Sequence, residues 1–131
     1  MNTHSLNETL CRFLADAFPT LAIHTPLNNG ELKVPYVLIS ATADDELIAR
    51  NNTWNLTLTV EVHSSAFDHP DSESREWATA VFQMLAQARS PLNALADDFV
   101  LYSILLTSIE EPSVKDNDFV QRAAFKVIAQ Y

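Results

Sequence analysis

From Trp54 to His63 the side chains alternate without a break. Trp54, Leu56, Leu58, Val60 and Val62 are apolar, and Asn55, Thr57, Thr59, Glu61 and His63 are polar. Successive residues of a strand point to opposite faces, so this run requires a sheet with one face in a core and the other toward water. Phe119 to Tyr131 repeats the pattern, with Phe119, Ala123, Phe125, Val127 and Tyr131 on one face and Arg122, Lys126 and Gln130 on the other. Tyr36 to Thr42 is rich in β-formers and follows Pro35, as a strand start does. Leu21 to Thr25 reads as a further short strand, closed by Pro26 and the turn-forming Asn28-Asn29-Gly30. Phe99 to Ile109 is almost continuously apolar, which predicts a strand covered on both sides or packed at an oligomer interface.

Two segments have the period of a helix instead. Leu6, Leu10, Phe13, Leu14 and Ala17 recur at helical intervals, and Ser5 with Glu8 has the spacing of a capping box. A helix over 5–18 follows, stopped by Pro19. Asp71 or Ser72 can cap a second helix, with Glu73 and Glu76 in its positive first turn and Trp77, Val81, Met84, Leu85 and Ala88 on its apolar face; Pro91 ends it. The polar stretch Ala43 to Asn52 reads as a turn or a protruding hairpin tip. The predicted order is α-β-β-β-α-β-β, an α+β fold with a mostly antiparallel sheet and two helices packed on one face. No repeat or linker divides the chain, so residues 1–131 form one domain.

Several chemistries are disfavoured by composition. One glycine leaves almost no freedom for a loop that cradles phosphate, so nucleotide fingerprints are excluded. A formal charge of −9, with the eight basic residues scattered, opposes binding to nucleic acid and to anionic membranes. No apolar run approaches the length of a membrane helix. Cys11, the single cysteine, cannot form an internal disulfide and reads as a small apolar residue of the first helix. The first residues lack the pattern of a secretion signal, which points to maturation in the cytoplasm.

His63, Asp68, His69 and Asp71 form the densest group of potential metal ligands, but their spacing matches no zinc pattern and no cysteine pair accompanies them. A solvated loop with a helix cap explains them more simply. Glu61 and His63 share the polar face of one strand and form an acid/base pair if a pocket covers them, with His69 nearby in sequence. Ser64, Ser65 and Ser103 lack a nucleophile elbow. The expectation is therefore no catalytic residue, no cofactor and no resident metal. Asp44-Asp45-Glu46, Asp97-Asp98 and Glu110-Glu111 read as solubilising charge. Trp54 and Trp77 both fall on predicted core faces. Sheet edges and excess apolar strand surface predict self-association.

The helix from Leu6 to Phe18, the strand WNLTLTVEVHS, the helix SESREWATAVFQMLAQ and the closing strand FVQRAAFKVIAQY together resemble the tail terminator and tail-completion proteins of long-tailed bacteriophages. Nearly the whole chain takes part. A terminal strand of the R-x-x-x-F-x-V kind recurs in that family, here Arg122-Ala123-Ala124-Phe125-Lys126-Val127 with slightly different spacing. The resemblance implies a structural protein of the virion tail or neck, assembled in the bacterial cytoplasm, that caps the tail tube or joins it to the head connector. It also implies a homo-oligomeric ring, hexameric in that family, with tail tube and connector proteins as further partners. Interface residues expected on this basis are Asp44, Asp45, Glu46, Leu47, Ile48 and Arg50 in the loop, with Leu101 and Leu105 in the apolar strand. Acidic Asp44, Asp45 and Glu46 in a ring lumen would repel DNA in transit. Two alternatives stand beside this one: a small ligand- or metal-binding domain, enzymatic through Glu61, His63 and His69, and a bacterial adaptor domain.

Overall fold

The computed structural model describes residues 3–25, 35–48, 51–65 and 71–131. In chain order its elements are α1 (His4–Ala17), β1 (Ala22–His24), β2 (Tyr36–Ile48), β3 (Thr53–Ser65), α2 (Asp71–Ala86), α3 (Arg89–Leu95), β4 (Val100–Ile109), β5 (Ser113–Lys115) and β6 (Asp118–Gln130). The strands form one sheet in the order β1-β2-β3-β6-β4, with β5 also paired to β6. Among the described strands the β1–β2 pairing alone is parallel. The fold is α+β with a mostly antiparallel sheet, as the alternating strands require.

Register gathers the apolar positions on one side. Ile39 pairs with Val60 and Val60 with Ala123; Ala41 pairs with Leu58 and Leu58 with Phe125. These residues are buried together with Leu6, Leu10 and Leu14 of α1, Val81, Phe82 and Leu85 of α2, and Leu92 of α3. The helices therefore cover one face of the sheet. Each buried leucine or phenylalanine contributes roughly 1.5–3 kcal/mol by leaving water.

Local chemistry explains where the elements differ from expectation. The capping box does not form: α1 starts at His4 with Thr3 as an N-cap that makes no side-chain bond, and the Ser5 hydroxyl donates to Asp98 instead. The exit does follow the sequence, since the Phe18 N–H bonds the Leu14 carbonyl just before Pro19. Pro91 does not end α2. That helix closes at Ala86, and Pro91 sits in the first turn of α3, where a missing N–H costs nothing. Two helices on the core face thus become three. The expected turn from Ala43 is strand as far as Ile48, bent by register shifts between Ala43 and Asp45 and between Glu46 and Ile48.

Of the two expectations for β4, cover on both sides within the chain does not hold: the strand lies at the end of the strand order, and Val100, Tyr102, Leu105 and Ile109 are 50 to 62% exposed. Its outer backbone is nonetheless blunted. The Asn93 side chain accepts from the Leu101 N–H (2.7 Å) and donates to the Leu101 carbonyl (2.9 Å), and bulges interrupt the register at Tyr102 and Thr107. Such devices discourage strand addition.

The described residues also show how turns are made without glycine. Asn52, Asp116 and Asn117 occupy positive φ at 59°, 52° and 67°. Asp116 and Asn117 form the two-residue turn between β5 and β6, whose hand suits a hairpin. Asparagine and aspartate tolerate this region because their short polar side chains bond locally. Replacing Asn117 with Val should cost about 1–2 kcal/mol in urea unfolding, whereas Asn117→Gly should be neutral or slightly stabilising.

Candidate functional site on the open sheet face

Residues of β2, β3 and β6 that alternate with the core positions line the opposite face of the sheet, away from the helices. Pairing sets them in rows across the strands: Tyr36, His63 and Val120; then Leu38, Glu61 and Arg122; then Ser40, Thr59 and Ala124; then Thr42, Thr57 and Lys126. On β4, Ser108 extends the third row and Leu105 the fourth.

The first two rows hold the densest polar cluster. The His63 ring stacks on Tyr36 with centroids 4.3 Å apart and planes at 11°, and His24 meets the same tyrosine edge-on at 5.9 Å. Glu61 Oε1 lies 3.1 Å from His63 Nε2, and Glu61 Oε2 accepts from Arg122 Nη2 at 3.0 Å. Burial, reinforced by the carboxylates of Asp118 and Glu61, raises the Tyr36 phenol above its ordinary pKa. A second cluster lies further along the sheet: Thr57 donates to Asp44 at 2.6 Å, Lys126 Nζ is 3.6 Å from the same carboxylate, and Asn55 donates to Asp45 at 3.4 Å.

Glu61 and His63 do meet, as their shared face predicted. The partners that complete the cluster, Tyr36 and Arg122, come from strands distant in sequence, and no local spacing announces them. Both Glu61 oxygens are engaged, one by His63 on the same strand and one by Arg122 across the strands. Cys11 and Tyr131 are shifted in the same direction: burial, then Glu8, pushes the thiol up to about 11, and burial, then Asp98, pushes the phenol up to about 12. A cleft of about 690 Å³ lies away from the Glu61 cluster, between α1 and the segment before β4, where His4, Glu8, Cys11, Arg12, Asp97 and Asp98 line it.

Of the expected metal ligands, Asp68 and His69 lie outside the described residues, as does the side chain of Asp71; His63 is engaged with Tyr36 and Glu61. Among the described residues no three His, Cys, Asp or Glu converge to hold an ion. Of the expected interface residues, Asp44, Asp45, Glu46 and Leu47 stand exposed toward the end of β2, while Arg50 and the side chain of Ile48 lie outside the described residues. Leu105 is 62% exposed, but Leu101 is buried in the core of its own chain at 1% and offers no surface to a partner. Val100 and Tyr102 were not singled out from the sequence and are exposed beside Leu105; their signal was the same apolar run. Trp54 and Trp77 are half-buried against the core. Among the described residues no helix is long and apolar enough to cross a membrane.

No protein-family model and no curated protein matches the chain. Among solved structures, a chain of the virion of a native gene transfer agent particle is similar, with 16% identity, a TM-score of 0.69, and 95% of this chain and 92% of that chain covered. A second solved chain is 14% identical with a TM-score of 0.60, covering 97% of this chain and 92% of that one. At these identities the likeness establishes the fold.

Two measurements check the site. A double-mutant cycle on Glu61→Gln and Arg122→Gln should return a coupling of about 0.2–1 kcal/mol, since the arginine is half exposed. Cys11 should alkylate at pH 8 roughly a hundredfold more slowly than a free thiol. Because the folded thiol has the higher pKa, its contribution to stability is complete below the unfolded value and is lost as pH rises toward about 11. Cys11→Ala should flatten the stability curve in that range.

Proposed function

We propose that this chain is a structural component of a phage-like particle, a tail-completion or head–tail joining protein that acts as a homo-oligomeric ring without chemistry of its own. The observation that carries the reading is that Val100, Tyr102 and Leu105 stand half or more exposed on β4, in a fold shared with a gene transfer agent virion chain. Exposed apolar residues grouped on one surface are the mark of a surface that another protein covers. The engaged state of Glu61 and the unreactive setting of Cys11 support a non-catalytic role. The negative charge supports contact with proteins over adhesion to nucleic acid.

In this reading the far end of β2, with Asp44, Asp45, Glu46 and Leu47, reaches a neighbouring subunit or the tube protein. The virion tail or neck is the place of action. Negative-stain electron microscopy of the purified protein should show rings with a central channel, and light scattering should give a multiple of the 14.6 kDa chain. A protein that remains a 14.6 kDa monomer at micromolar and higher concentrations overturns the proposal.

A further inference from the structure

Resting on that reading, we infer that the open sheet face of one copy is covered by the outer surface of α2 from the next copy, through a stripe of Glu76, Ala80 and Met84. The two surfaces lie on opposite sides of the subunit, one on the helix layer and one on the bare sheet. A contact between unlike surfaces repeats from copy to copy and closes into a ring when the rotation allows. It also completes each subunit, because every sheet then has helices on both faces.

The stripe matches the sheet in chemistry and in spacing. On α2, Glu76, Ala80 and Met84 are exposed and recur every four residues, so they stand above one another on one side of the helix. Among the described residues no ion pair holds Glu76, and Met84 is one of the exposed large apolar residues. On the sheet, Arg122 is 47% exposed, Ala124 and Ser108 form a row of small residues, and Leu105 pairs with Lys126 in the row beyond. A helix laid along β6 places the Glu76 carboxylate on Arg122, Ala80 over the small row and Met84 on Leu105.

The lengths agree. Eight helical residues from Glu76 to Met84 rise about 12 Å. Four strand residues from Arg122 to Lys126, the row that holds Leu105, span about 13 Å. Ala80 and Ala124 fall midway in each. Two further observations oppose the alternatives. The outer backbone of β4 is blunted by Asn93 and by two bulges, so edge-to-edge pairing has little to use. Packing two open faces on each other would bring together two surfaces whose cations, Arg122 and Lys126, are the more exposed members of their ion pairs, and would offer them no carboxylate as free as Glu76.

Cysteine cross-linking in the full chain tests this. In a Cys11→Ser background, Met84→Cys with Leu105→Cys should oxidise to a ladder of covalent oligomers ending at the ring size, while each single cysteine variant should give no ladder. Glu76→Arg should break the oligomer by light scattering, and adding Arg122→Glu should restore it, with circular dichroism confirming that each variant is folded. A covalent dimer from Leu105→Cys alone overturns the inference in favour of like surfaces meeting. Rings without a ladder overturn it while leaving the ring reading intact, and a protein that is monomeric throughout overturns both.

Discussion

The antiparallel ladder between β3 and β6 runs the full length of both strands, from Thr53 opposite Gln130 to Ser65 opposite Asp118, and the rest of the sheet builds outward from it through β2 on one side and β4 and β5 on the other. On one face it supplies Leu56, Leu58, Val60, Ala123, Phe125 and Val127, which α2 packs against directly and which share one buried core with the leucines of α1 and α3. A slip of one residue in either strand would turn that whole set toward water, so burial fixes the register. Register in turn fixes the other face. Glu61 meets Arg122, and Thr57 stands beside Lys126 within reach of Asp44, because the core residues on either side of them have no other acceptable alignment. The polar clusters are thus a consequence of hydrophobic packing, and the weak exposed ion pairs within them decorate an alignment they could not enforce.

How much of this could be read in advance depends on whether the determining contact is local. The alternation through Leu56, Leu58 and Val60 announces a strand by itself, and the Leu6, Leu10, Leu14 spacing announces a helix. Which strands pair is a different matter: nothing near Leu58 in sequence identifies Phe125 as its neighbour. Hence Glu61 and His63 were legible as sharing a face, while Tyr36 and Arg122 were not. Proline misled at Pro91, because the residue that bars a helix interior is harmless in a first turn. The acidic run Asp44-Asp45-Glu46 disguised the end of β2, since its low strand propensity is overridden by pairing with β3 and by bonds to Thr57 and Asn55. Leu101 and Leu105 belong to one apolar run, yet the first is core and the second surface; the bulge at Tyr102 alters which residues share a face, and bulges leave no mark in composition.

Among the described residues the helices lie on one side of the sheet, and such an arrangement is asymmetric in what it shows its surroundings. On the sheet face opposite the helices, Glu61 and Asp44 are the more covered members of their pairs and Arg122 and Lys126 the more exposed, whereas α2 presents the exposed carboxylate of Glu76 on the other side. The molecule therefore has a chemical front and back. Such polarity is what a subunit needs in order to meet copies of itself in one direction, and it arises here from the placement of a few side chains on a conventional sheet.

The central place of β6 bears on how the chain acquires its structure in the cell. β3 leaves the ribosome early and its main partner long afterwards, with α2, α3 and β4 between them. Until β6 emerges, the alternating face of β3 has only β2 beside it, β4 has no neighbour in the sheet, and the apolar stripes of the helices have no complete wall to bury against. A ladder joining segments so far apart must close a long loop before it gains anything, which slows folding. Synthesis is therefore a period of exposure that ends only when the last strand takes its place between β3 and β4.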